Sequence, residues 1–165
     1  MLKKDQFSVD IEQAVEEYAD MVYRLALVNM KDKTDADDIF QEVFLRLLKY
    51  KKTIESNEHL KAWLLRVTIN CCKSKFSSAW EKRIVSLEYE TLKEEAYEMQ
   101  EEHEDVLQAV RELPEIYKNL MHLFYYEQYS IKEIMQIVQK SESAVKTGLS
   151  RGRDMLRKAL EGDKE

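Results

Sequence analysis

Apolar side chains return at every third or fourth position along most of the chain, the spacing of a helix that buries one face. Ile11, Val15, Tyr18, Val22, Leu25 and Val28 form the first such stripe. A second helix is predicted to open at Thr34 as N-cap. Asp35, Asp37 and Asp38 would lie in its first turn, where carboxylates favour the positive end of the helix dipole. Ile39, Val43, Leu47 and Tyr50 are its expected buried residues. A third runs from about His59, with Leu60, Leu64, Val67 and Cys71 on one side and Trp63 beside them as a core residue. Three helices over roughly 70 residues can just close a core.

The pattern weakens after Leu92. Residues 84–104 carry eight acids against Lys93 and read as a solvated linker. From Asp105 the helical period returns in Val106, Val110 and Leu113, is broken at Pro114, and resumes with Ile116, Tyr117, Leu120, Met121 and Phe124, all expected in a core. Ser130-Ile131-Lys132-Glu133 has the form of a capping box. Ile131, Ile134, Ile137 and Val138 follow as a short helix, and Gln139-Lys140-Ser141 as a tight turn with Ser141 capping what comes next. The last helix, Glu142 to Leu160, would bury Val145, Leu149, Gly152 and Leu156 and expose Ser143, Lys146, Thr147, Ser150 and Arg151. Ser130 to Leu160 is thus a helix-turn-helix whose second helix carries short hydroxyls among long cations. Short polar groups suit base edges in a major groove, and cations suit phosphates.

Composition narrows the fold class. Three glycines and one proline in 165 residues are too few for strands joined by tight turns, so the chain is expected to be all-α. The pattern divides it into two small helical domains, 1–83 and 105–165, joined by the acidic linker 84–104. The net charge of −6 is unevenly spread. Leu60 to Arg83 holds six basic residues against Glu81, and Lys140 to Leu160 holds six against Glu142 and Asp154. Cys71 and Cys72 are helical neighbours that cannot bridge without distortion, so they are expected as reduced thiols. The three histidines show no ligand spacing with them, so no metal and no cofactor is expected. No nucleophile–base pair or phosphate-cradling glycine loop marks an enzyme or a small-molecule substrate. No apolar run approaches the length of a membrane span and the N-terminus lacks a signal-peptide core, so a cytoplasmic location is expected.

Three stretches resemble a known family. Leu113-Pro114, Tyr126-Glu127, Ser130, Glu133-Ile134, Ala144-Val145-Lys146, Leu149, Arg151, Arg153 and Leu156 look like region 4 of the extracytoplasmic-function (ECF) sigma factors of the sigma-70 family. Thr34 to Arg46 looks like their region 2.2, and Lys61 to Val67 with Asn70 like the region 2.3–2.4 helix. The three lie in the family's order and cover nearly the whole chain apart from the linker.

The resemblance implies a sigma region 2-like domain over 1–83 and a region 4-like domain over 105–165. Asp38, Gln41 and Glu42 would be exposed polar contacts to the clamp helices of core RNA polymerase, and the flap would be a further contact of the large subunits. The loop Lys51 to Glu58 and the third helix would melt and capture the −10 element, with Lys61, Arg66, Lys73 and Lys75 meeting phosphates and Asn70 offering a polar contact. Ser143, Lys146, Thr147, Ser150 and Arg151 would read the −35 element. The linker would lie in the polymerase channel that later carries RNA. An anti-sigma partner, membrane-anchored in many members, would hold the protein inactive until a stress signal arrives. Gln139 replaces a common glycine, Met135 a common alanine, Gly148 a frequent basic residue, and Ile69 and Ser74 a frequent Arg and Asp. The other reading of the same motif is an autonomous helix-turn-helix regulator, with 1–83 as a dimerisation or ligand domain.

Overall fold

A computed structural model of the chain describes residues 7–75 and 104–162. The chain divides into two compact units, Met1–Tyr89 and Glu90–Glu165. Every regular element among the described residues is helical. The expected linker, 84–104, lies outside the described residues except for the backbone of Glu104.

In the first unit, helix α1 spans Ile11–Asn29, α2 Lys33–Tyr50 and α3 Asn57–Ser74, and each packs on the other two. Asp10 caps α1 by accepting from the Gln13 amide at 3.3 Å. The cap of α2 is Asp32, which accepts from the Asp35 amide at 3.1 Å, and not Thr34, which lies exposed within the first turn. The carboxylate is the stronger acceptor at the positive end of a helix, and an earlier start lets the Ala36 amide bond the Asp32 carbonyl at 3.2 Å. Ser56 caps α3 through the His59 amide at 3.0 Å.

The core between these helices is made by Val22, Leu25, Ile39, Val43, Leu47, Leu64 and Leu65, all fully buried. Each contributes about 1.5–3 kcal/mol by leaving water. Val67 and Trp63 are half-buried at its margin. Cys71 and Cys72 remain thiols and are buried. Tyr50 departs from expectation: it is 44% exposed. The apolar period of α2 outlasts the helices that cover it, and Ile54, beyond a 3-10 turn at Lys51–Thr53, closes that end of the core instead.

In the second unit, α4 spans Glu104–Arg111 and α5 Glu115–Met121, followed by a π-helical turn at His122–Tyr126, α6 at Ile131–Val138 and α7 at Glu142–Gly162. Pro114 has no amide to continue α4, and its carbonyl instead accepts from Tyr117 and Lys118 at 2.9 and 3.1 Å to start α5. Leu113, Leu120, Met121, Leu123, Ile134, Ile137, Val145 and Leu149 make the core. Tyr117 and Phe124 are half-buried, whereas Val106 and Ile116 are exposed, against expectation. Among the described residues, the short helices α4 and α5 have too few neighbours to cover every apolar position on them.

The capping box forms as read: the Ser130 hydroxyl accepts from the Glu133 amide and the Glu133 carboxylate from the Ser130 amide, both at 3.1 Å. Gln139 ends α6 in the left-handed region, with φ 56° and ψ 50°. Ser141 then caps α7 through the Ala144 amide at 3.1 Å.

Gly148 is buried between α7 and α5, not on the polar face where a basic residue would lie. A Cβ there would stand 2.3 Å from Leu120 Cδ1, and one at Gly152 would stand 2.9 Å from Met121 Sδ. Close helix approach explains this glycine. Gly148→Lys is accordingly expected to lower stability by about 1–3 kcal/mol through overpacking, with no gain in DNA affinity, as read by urea unfolding and a DNA-binding titration. Gln139→Gly is expected to stabilise by about 1 kcal/mol, because glycine escapes the left-handed penalty, and the same unfolding curve checks it.

Candidate nucleic-acid interface

The polar face of α7 follows from how its other face is used. Val145, Gly148, Leu149 and Gly152 turn inward, so helical geometry sends residues near the opposite meridian outward. Ser143, Thr147 and Ser150 follow one another along that line at steps of four and three, with Lys146 on one flank and Arg151 on the other. All five are exposed, so the structure brings the whole expected −35 set onto one surface.

Two neighbours of that set were not foreseen. Lys146 Nζ pairs with Glu142 Oε1 at 2.7 Å, and this bond holds the Glu142 carboxyl below the usual range. The spacing of four between them was the available signal. Arg153 Nη1 donates to Tyr125 Oη at 2.9 Å, anchoring α7 to the π-helical turn. Twenty-eight residues separate these two, and no local pattern announces the contact.

On α3 the expected −10 set divides. Arg66, Asn70 and Lys73 follow one stripe at steps of four and three, Arg66 half-buried and the other two exposed. Lys61 is half-buried on another side of the helix. Lys75 is not an outward cation: its ammonium forms an ion pair with Asp35, tying the end of α3 to the start of α2. Burial pushes that ammonium below its ordinary pKa, opposed by the Asp32 carboxylate. The acids at the start of α2 thus draw Lys75 inward.

The expected polymerase-contact set also changes. Asp38 is buried and is not an exposed contact. Glu42 is half-buried and bonded to Arg46 Nε at 3.1 Å. Gln41 is exposed, and Leu45 and Leu48 follow it on the same stripe, 59% and 49% exposed. One turn before Gln41, α2 is clasped to α1: Tyr23 Oη donates to Asp37 Oδ1 at 2.6 Å and the Tyr23 ring meets Phe40 edge-on at 6.0 Å. Burial, and then the bond to Asp37, raise the Tyr23 phenol well above its ordinary range.

No group of acids, histidines and cysteines suited to a metal ion occurs among the described residues, and none of the described helices is long and apolar enough to cross a membrane.

Comparison with known proteins accounts for both units. The family model for Sigma-70 region 2 matches residues 14–82, and that for Sigma-70, region 4 matches residues 103–156. The ECF RNA polymerase sigma factor SigM of Bacillus subtilis (strain 168) is 30% identical over 156 residues, covering 89% of this chain and 93% of that protein. The RNA polymerase sigma factor SigV of the same organism is 28% identical over 163 residues, 95% of each. Among solved structures, the sigma factor RpoE in complex with the anti-sigma factor NepR from Bartonella quintana shares the fold with a TM-score of 0.72 at 19% identity, over 92% of this chain and 97% of that one. CnrH in complex with the cytosolic domain of CnrY gives 0.67 at 18%, over 93% and 88%. With both sigma regions matched in order and a relative at this identity over most of its length, the chain belongs to the extracytoplasmic-function sigma factors of the sigma-70 family.

Proposed function

We propose that this chain directs core RNA polymerase to a restricted set of promoters, as a non-enzymatic initiation factor. The N-terminal domain, residues 1–83, docks on the clamp helices of polymerase through the Gln41, Leu45 and Leu48 stripe of α2. It captures the unpaired −10 strand with the loop Lys51 to Glu58 and the Arg66, Asn70 and Lys73 stripe of α3. The C-terminal domain, residues 105–165, meets the flap and reads the −35 duplex with Ser143, Lys146, Thr147, Ser150 and Arg151. Residues 84–104 link the two through the channel that later carries RNA. An anti-sigma factor, free or anchored at the membrane, restrains the protein in the cytoplasm until a stress signal arrives; two solved relatives of the same fold are described in complexes, one of them with an anti-sigma factor.

The observation that carries this reading is membership of the family together with a separate polar helix face in each unit, on α3 and on α7. Charge supports it too. Phosphate neutralisation dominates DNA affinity, so a protein of net charge −6 binds DNA weakly unless a larger assembly holds it in place. An autonomous regulator would instead bind palindromic DNA tightly by itself.

The test is run-off transcription with bacterial core polymerase on the promoter of the protein's own operon, beside a mobility shift without polymerase. A specific transcript that needs core is expected; tight binding by the protein alone, with no transcript, would overturn the proposal. Lys146→Ala and Arg151→Ala should each weaken −35-dependent initiation by roughly tenfold, within the range of about 1–3 kcal/mol for a base contact. Leu45→Asp should lower affinity for core by about tenfold while changing stability by less than roughly 0.5 kcal/mol, since the side chain is exposed. A core titration with the unfolding curve alongside separates the two effects.

A further inference from the structure

The helix that carries the expected −35 set also carries an acid. Glu142 opens α7 directly after its cap Ser141, and it lies one turn before Lys146 on the same flank. It is the only acid between Lys140 and Arg153. Asp154, the next along the helix, stands about 18 Å further on. The Glu142 and Lys146 side chains are both more than half exposed, and an ion pair so placed adds little to stability. Against DNA the carboxylate is a liability, because the leading end of a recognition helix lies between two phosphate strands. Two partners can offset that repulsion. One is Lys146 Nζ, already at 2.7 Å. The other is the groove floor, where cytosine N4 and adenine N6 are the donors that a carboxylate can accept from.

We propose that Glu142 is a specificity-determining residue that keeps Lys146 from the phosphates, so that the two charges together read one G·C base pair. Lys146 donates to guanine O6 and N7, and Glu142 accepts from N4 of the paired cytosine. The fit follows from the order of groups on the base edges. Guanine shows two acceptors side by side and its cytosine a donor, which matches an ammonium held beside a carboxylate. Adenine shows a single acceptor next to its donor, and thymine shows no donor, so an A·T pair meets the two charges less well. The proposal rests on the −35 reading above and deepens it. Its consequence is an opposition between affinity and selectivity: Glu142 weakens binding to DNA in general and sharpens the choice of one base pair.

The test uses holoenzyme assembled from core polymerase and the full chain, on copies of the promoter of its own operon with each −35 base pair changed in turn. The wild type should favour G·C over A·T at one of these pairs by about tenfold. Glu142→Ala should cut that preference to about twofold. Glu142→Gln should move it towards A·T, because a carboxamide pairs with adenine N6 and N7. Lys146→Ala should lose the same preference, and adding Glu142→Ala to it should change the preference no further. Binding of the full chain alone to promoter-free duplex supplies a second readout. There Glu142→Ala should bind more tightly, with a slope of log affinity against log salt steeper by about 0.9, the release of one more counterion. A G·C preference kept by Glu142→Ala, or a loss spread equally over all templates, would overturn the proposal; the latter would leave Glu142 a helix-end charge alone. A wild type that makes no promoter-specific transcript, or Lys146→Ala without effect on any −35 template, would instead sink the −35 reading itself.

Discussion

The contact between α5 and α7 governs what the second unit can present. Gly148 and Gly152 bring the backbone of α7 against Leu120 and Met121, too near for even a methyl group at position 148 to fit without displacing Leu120. Once that side is sealed, rotation of α7 about its own axis would bury a polar stripe or expose an apolar one, and either is costly. The outward direction of Ser143, Thr147 and Ser150 is therefore set by two residues that bear no chemistry. Ser141 and the left-handed Gln139 complete the constraint by fixing where α7 begins.

In the first unit the comparable role falls to acids. Asp32 caps α2, Asp35 pairs with Lys75 at the end of α3, and Asp37 accepts from Tyr23 on α1. One turn of helix thus joins all three helices through polar bonds at a single end of the bundle. With those carboxylates engaged internally, the outward face of α2 is left to Gln41 and two leucines, a surface suited to burial against a protein partner.

Features set by neighbours in sequence were legible before the structure was known. The capping box at Ser130, the cap at Ser141 and the exposed face of α7 all follow from spacing within one helix or its first turn. What depended on a distant element was not. Tyr50, Val106 and Ile116 fit the apolar period but lie where none of the described helices covers them. The burial of Asp38, and the inward pairing of Lys75 with a residue forty positions earlier, have no local signature. Gly148 could be judged only once Leu120 was seen beside it. Thr34 lost the cap to Asp32 because both are competent acceptors and spacing alone does not rank them.

The two buried thiols carry a consequence for the dynamics of one unit. Cys71 and Cys72 are the only cysteines in the chain, and both sit in the core of the first unit, out of reach of a soluble alkylating reagent. Modification must wait for α3 to loosen from α1 and α2. The rate of labelling therefore counts openings of that unit alone, with the second silent because it has no thiol. The chain carries its own clock for the stability of one half of the molecule.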